Sequence, residues 1–159
     1  MNPRATPTIV FIDDHIDESR VLIIELSIKY GSENIKTFEK ASAGFEYIRS
    51  HLDRKMIVLL DLMFHGVPEG LNAFDKIVKE TSLICVILRS GQIESIDKSQ
   101  LIKLINNHAW HLIKTDASIE ETLSVVENAN QQLSMRVDGA IEEWIMRHSP
   151  EEREALFEN

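Results

Sequence analysis

Three carboxylates, a hydroxyl and an ammonium follow short apolar runs at separate points along the chain. Asp13 and Asp14 come after TIVFI, Asp61 after MIVLL, and Lys114 after WHLI. Behind LICVIL come Arg89 and then Ser90. Crowded carboxylates repel, and a hard cation best offsets their charge. Mg2+ suits such a place, because it takes oxygen ligands from one or two carboxylates, from water and from phosphate. With that cation present, Asp61 is an accessible nucleophile toward a phosphoryl group. Lysine adds a point positive charge for the same oxygens, and serine donates one hydrogen bond to them. Phosphoryl transfer rests mainly on positioning and charge stabilisation, and this set provides both.

These residues act together only if the elements before them end at one place. The runs at 8–12, 56–60 and 83–88 are uninterrupted and apolar, as strands buried on both faces are. Weaker strands are expected at 34–38 and 110–113. Helical patterns fill the intervals: 16–30, ended by Gly31, then 40–52, 71–80 and 99–107. On the first, Val21, Leu22, Glu25, Leu26 and Lys29 carry the amphipathic spacing. On the second, Phe45, Ile48 and Leu52 share a face. Five strands alternating with helices predict a parallel sheet in a three-layer α/β/α sandwich. Ligands of such sheets bind beyond the carboxyl ends of the strands, where all five polar groups fall. One aspartate after a strand is usually a turn or cap residue, and Asp14 alone could cap a helix. The joint pattern at four strand ends carries the argument.

Composition sets the limits. The chain has 159 residues, enough for one domain with a real core and a short appendage. Seventeen basic against 26 acidic residues give a net charge of −9, which disfavours direct binding to nucleic acid or an anionic membrane. No apolar run is long enough to span a bilayer, and the first eight residues hold no signal-like stretch, so a cytoplasmic location is expected. The single cysteine, Cys85, excludes an internal disulfide and reads as an inert buried thiol. The six histidines are scattered without metal spacing, so no zinc site is expected. Arg89, just before Ser90, could reach an acidic partner, but a solvated side chain is the default reading.

The segments IVFIDDH, MIVLLDLMF, VILRSG and HLIKT resemble the receiver domain of two-component response regulators, the CheY-like domains, over residues 6–133. The resemblance implies a flavodoxin-like strand order 2-1-3-4-5. It implies Asp61 as phosphoacceptor, Asp14 as a direct Mg2+ ligand with Asp13 as its acidic partner, and Met63 as a backbone-carbonyl ligand. Ser90 becomes the switch hydroxyl, Lys114 the phosphate partner, and His111 stands where the family has its rotating aromatic. The spacings agree, 29 residues from Asp61 to Ser90 and 24 from Ser90 to Lys114. The implied protein is a phosphorelay signalling component rather than an enzyme, one that promotes its own aspartyl phosphorylation and dephosphorylation. Its implied partner is a histidine kinase or phosphotransfer protein. Three features depart from the pattern. Thr115 replaces the proline after the lysine, His111 replaces Tyr or Phe, and Pro68 and Gly70 are displaced as by a one-residue insertion. Without proline, the Lys114–Thr115 bond is expected to be trans.

Beyond the last strand, Ile119, Leu123, Val126, Asn130, Leu133, Val137, Ala140 and Trp144 recur at heptad spacing. The pattern predicts one long helix over about 118–147, with a seam suited to homodimerisation and Asn130 as a register-setting core position. The alternative is a helix packed on the sheet, then a second folded back near Gly139. Ser149-Pro150 reads as a fresh helix start. The expected division is a receiver domain at 6–133 and a C-terminal helical extension at 134–159. Two other functions compete with phosphoacceptance. One is a binding and dimerisation module of the same fold that works without phosphorylation. The other is an aspartyl-phosphate phosphohydrolase, disfavoured because its usual second carboxylate would fall on Met63.

Overall fold

A computed structural model describes residues 6–62, 83–91, 99 and 111–147, with residues 136–147 by backbone alone. The strands β1 (Thr8–Ile12), β2 (Ile35–Phe38), β3 (Met56–Asp61), β4 (Ile84–Ser90) and β5 (His111–Lys114) form one parallel sheet in the order β2-β1-β3-β4-β5. Every residue of β1, β3 and β4 is buried, whereas β2 and β5 lie at the sheet edges and are partly exposed. Continuous apolar runs thus occupy the centre, where both faces need cover.

Alternation along the strands divides the core in two. Ile9, Phe11, Ile57, Leu59, Cys85 and Ile87 face one side and pack with α1 (Arg20–Tyr30) and the C-terminal helix α3 (Ile119–Arg147). Val10, Ile12, Val58, Leu60, Val86 and Leu88 face the other and pack with α2 (Ala41–Arg49). The expected three-layer sandwich is therefore present. Gly44 lets α2 approach β1, since a Cβ there would overlap the Ile12 side chain.

The expected first helix begins as a 3-10 turn over Ile16–Ser19 and becomes α-helical at Arg20. It buries Leu22, Leu26 and Tyr30, one residue per turn, while Val21, Ile24 and Ile28 are exposed. Of the residues that carry the amphipathic spacing, Leu22 and Leu26 are buried and Val21 is exposed. Gly31 ends the helix at φ +91°, a conformation favourable only without a side chain. The expected helix over 71–80 lies outside the described residues, as does that over 99–107 apart from Ser99. So do Met63, Pro68, Gly70 and the Ser149-Pro150 start.

The C-terminal helix is one unbroken helix of 29 residues that passes through Gly139 and across position 133. Ser118 starts it by accepting the Glu121 N–H at 3.1 Å. Val126, Ala129 and Leu133 are fully buried against the sheet, flanked by Ile119, Leu123 and Val125. The first half of the heptad stripe therefore serves the chain's own core instead of an open seam. Asn130 is half-buried, with its Oδ1 buried and accepting no hydrogen bond. The helix runs against the strand direction. It leaves the carboxyl edge of the sheet after Lys114, and by Ser134 it has reached the amino edge, where Lys55 Nζ donates to Ser134 Oγ at 2.9 Å. Residues 135–147 carry it on by roughly 20 Å, at about 1.5 Å per residue. Among the described residues no helix is long and apolar enough to cross a membrane.

Candidate functional site

Asp13 follows β1 directly, while Asp61, Ser90 and Lys114 are the last residues of β3, β4 and β5. Each strand end is anchored to its neighbour. The Asp13 N–H donates to Phe38 O at 3.0 Å, Leu62 N–H to Arg89 O at 3.0 Å, and Thr115 N–H to Ser90 O at 3.1 Å. The ladder thus continues one residue past the strands and fixes the backbone that carries the polar groups.

Carboxylate oxygens of Asp13, Asp14 and Asp61 lie within 4.8 Å of one another. Asp13 and Asp61 are buried, and the Asp14 carboxylate is only 2% exposed. Like charges about 4 Å apart repel by about 4 kcal/mol at an effective dielectric constant near 20. The cluster therefore needs positive charge. All three donors are hard oxygens, which fits Mg2+ or Ca2+ and not a thiolate- or imidazole-seeking metal. Ser90 is buried, and its backbone register partner is Lys114, which is exposed. The structure thus brings together Asp13, Asp14, Asp61, Ser90 and Lys114 at the carboxyl edge. It places His111 three positions back along β5, opposite Ile87 and exposed. No cis peptide bond occurs among the described residues, so Lys114–Thr115 is trans as expected.

One residue of the site was misread from sequence. Arg89 is 4% exposed, not solvated. Its Nη1 lies 3.3 Å from Asp13 Oδ2 and 3.5 Å from Ser19 Oγ, and its guanidinium carbon sits 5.0 Å from the Phe11 ring centroid. Its Nε is buried without a hydrogen-bond partner. Burial pushes its pKa below the usual arginine value, while attraction from Asp13 and Asp61 pulls it back up. The signal was present in the alternation: Asp13, Asp61 and Arg89 continue the Phe11, Leu59 and Ile87 face. Asp61 and Arg89 are also register partners. Asp13 itself is doubly engaged, because its Oδ1 accepts the His15 N–H at 2.8 Å. His15 Nε2 in turn lies 3.6 Å from Asp14 Oδ2.

No protein-family model matches the sequence, and no curated protein matches it. Solved structures do match. The receiver domain of NtrX from Brucella abortus is 24% identical, with a TM-score of 0.62 over 77% of this chain and 98% of that one. A CheY-like response regulator receiver domain protein from Methanospirillum hungatei is 14% identical, with a TM-score of 0.69 over 82% of this chain and 98% of that one. A longer NtrX chain from Brucella abortus, in complex with ATP, is 20% identical with a TM-score of 0.68. This chain spans only 28% of its length. A response regulator from Burkholderia pseudomallei, solved with a phosphorylated aspartic acid, calcium ion and citrate, is 12% identical with a TM-score of 0.62, over 86% of this chain and 74% of that one. With its parallel 2-1-3-4-5 sheet and its polar groups gathered at the carboxyl edge, the chain has the fold of response regulator receiver domains.

Proposed function

We propose that this chain is a phosphoacceptor switch of the two-component type, with Asp61 as the residue phosphorylated. The observation that carries the reading is the three-carboxylate cluster at the strand ends, with Ser90 and Lys114 beside it. A histidine kinase or phosphotransfer protein presents a phosphohistidine. An Asp61 oxygen attacks the phosphorus; the new P–O bond forms as the P–N bond breaks. The electron pair stays on the donor imidazole, which takes up a proton. Mg2+, held by Asp13, Asp14, Asp61 and the Met63 carbonyl, would neutralise charge on the transferring group; the Burkholderia relative's calcium ion and phosphorylated aspartate support such a site. Lys114 supplies positive charge to the phosphoryl oxygens, and the Ser90 hydroxyl donates to one of them. Ser90 and His111 form the switch pair of this reading.

Docking of the donor needs a surface near the site. Val21, Ile24 and Ile28 form an exposed apolar row on α1, which starts seven residues after Asp13. That row suits an apolar helical face on the donor. Homodimerisation through the heptad seam is left to the part of α3 beyond Leu133, since the earlier seam residues are packed inside.

Asp61→Asn tests the central assignment. The wild-type chain is expected to take label from acetyl phosphate or a phosphohistidine donor in a hydroxylamine-labile form, as an acyl phosphate must be. The variant is expected to lose it completely, and undiminished labelling would refute Asp61. A second reading, a binding module that works without phosphorylation, has one observation in its favour. Arg89 already offsets part of the acidic charge. Lack of any response to Mg2+ with beryllofluoride would select that reading.

A further inference from the structure

The acidic cluster already contains a cation of its own. Arg89 approaches it from β4, nearly fully buried, and contacts Asp13, one of the three carboxylates that would hold a metal. A structural ion pair in such a place is normally tight. Charge-assisted N–H···O contacts run about 2.7–2.9 Å and arginine prefers two parallel bonds. Here a single nitrogen reaches one Asp13 oxygen at 3.3 Å and Ser19 Oγ at 3.5 Å, and Nε is left buried with no acceptor. The guanidinium is therefore held, against the cost of its burial, by the Phe11 ring and the summed field of Asp13 and Asp61 more than by strong hydrogen bonds. Both oxygens of Asp13 are engaged, Oδ1 by the His15 N–H and Oδ2 by Arg89. A divalent cation entering the cluster meets a carboxylate whose charge is already shared, and a fixed positive charge beside it.

We propose that Arg89 is an internal counter-ion that competes with a divalent cation for Asp13, and so sets how weakly the three-carboxylate site binds that cation. The inference rests on the metal-site reading above. In the metal-free chain Arg89 relieves the repulsion among the three carboxylates. With a cation bound, Asp13 is shared between the two positive centres, directly or through a metal-bound water, since Mg2+ retains several waters. Arg89 is thus a positioning residue, acting on the cluster through Asp13.

The test is Mg2+ titration of the full chain by calorimetry after treatment with EDTA, with melting curves in EDTA and in Mg2+. Wild type is compared with Arg89→Met, which removes the charge, and Arg89→Lys, which keeps it. Arg89→Met is expected to bind Mg2+ at least about tenfold more tightly, a difference within reach of one nearby charge. It should melt lower than wild type in EDTA and gain more from Mg2+, because a ligand bound more tightly stabilises more. Arg89→Lys should stay within about threefold of wild type. A purely structural arginine would lower the melting temperature equally with and without Mg2+, and equal or weaker Mg2+ binding by Arg89→Met overturns the proposal while leaving the metal site standing. Absence of Mg2+ binding by every chain overturns both. If Arg89→Met does not fold in EDTA, Arg89→Gln takes its place. Folding of either neutral variant on addition of Mg2+ supports the proposal, and failure of both to fold with Mg2+ overturns it.

Discussion

Two buried cations mark opposite edges of the same sheet. At the amino edge, Lys55 precedes β3 and donates to Ser134 on α3. At the carboxyl edge, Arg89 near the end of β4 lies among Asp13, Asp61 and Ser19. The first contact joins a helix to the start of a strand through a neutral hydroxyl. The second sits in a cluster of carboxylates that a different cation would also fit. The sheet therefore separates its edges: the amino edge fastens α3, and the carboxyl edge collects carboxylates that repel one another. The separation follows from parallel topology, which sends every strand end with a chemical group to one side and lets the last helix travel back to the other.

Leu133→Ala asks most of this division. Leu133 is fully buried where α3 nears the amino edge, and the truncation is expected to cost about 2–5 kcal/mol in urea unfolding. Labelling of Asp61 in the fraction that remains folded should be unchanged, and a loss there would show that the edges are coupled. Ser134→Ala is gentler. Loss of the Lys55 hydrogen bond is expected to cost about 1–3 kcal/mol, because the ammonium is left buried with one partner fewer, and Mg2+ affinity should stay at the wild-type value. A lowered affinity would break the comparison.

The smallest effect at neutral pH is expected from Tyr30, which lies on the α1–α3 junction. Its hydroxyl donates to Glu127 at 2.8 Å, and Glu127 also meets Lys29 at 3.4 Å. Burial, then the Glu127 hydrogen bond and charge, push the Tyr30 pKa above its ordinary 10.0. The neutral form is thus favoured by folding. Its contribution is complete below pH 10 and is lost as pH rises from there toward the folded-state value. Wild type should lose stability above pH 10 more steeply than Tyr30→Phe, by up to about 1.4 kcal/mol per pH unit. Parallel pH profiles from chemical unfolding would refute the assignment.

The central strands were legible because burial on both faces leaves no choice but continuous apolar residues, as in Ile57–Leu60 and Val86–Leu88. Edge strands were less so. β2 and β5 mix polar with apolar residues because one side of each meets solvent. The heptad stripe of α3 was read correctly as a helix, and the first half of its expected seam packs on the chain's own sheet. A spacing of three and four residues fits packing on one's own sheet as well as it fits a second helix. Val126 and Leu133 went to the core, and Val21 on α1 went to solvent, because which face of a helix is covered depends on where the chain returns in space.

Within the site the same boundary holds. Asp13, Asp14, Asp61, Ser90 and Lys114 could be placed at one edge from sequence alone, because a parallel strand delivers whatever follows it to its carboxyl end. Arg89 could not. Its type permits a solvated or a buried role, and the choice was made by Asp13, 76 positions away, and by the Phe11 ring beside it. Local sequence determined which residues reach the edge of the sheet. Only the tertiary structure decided which charges they meet there, since that energy depends on distance and burial between strands far apart in the chain.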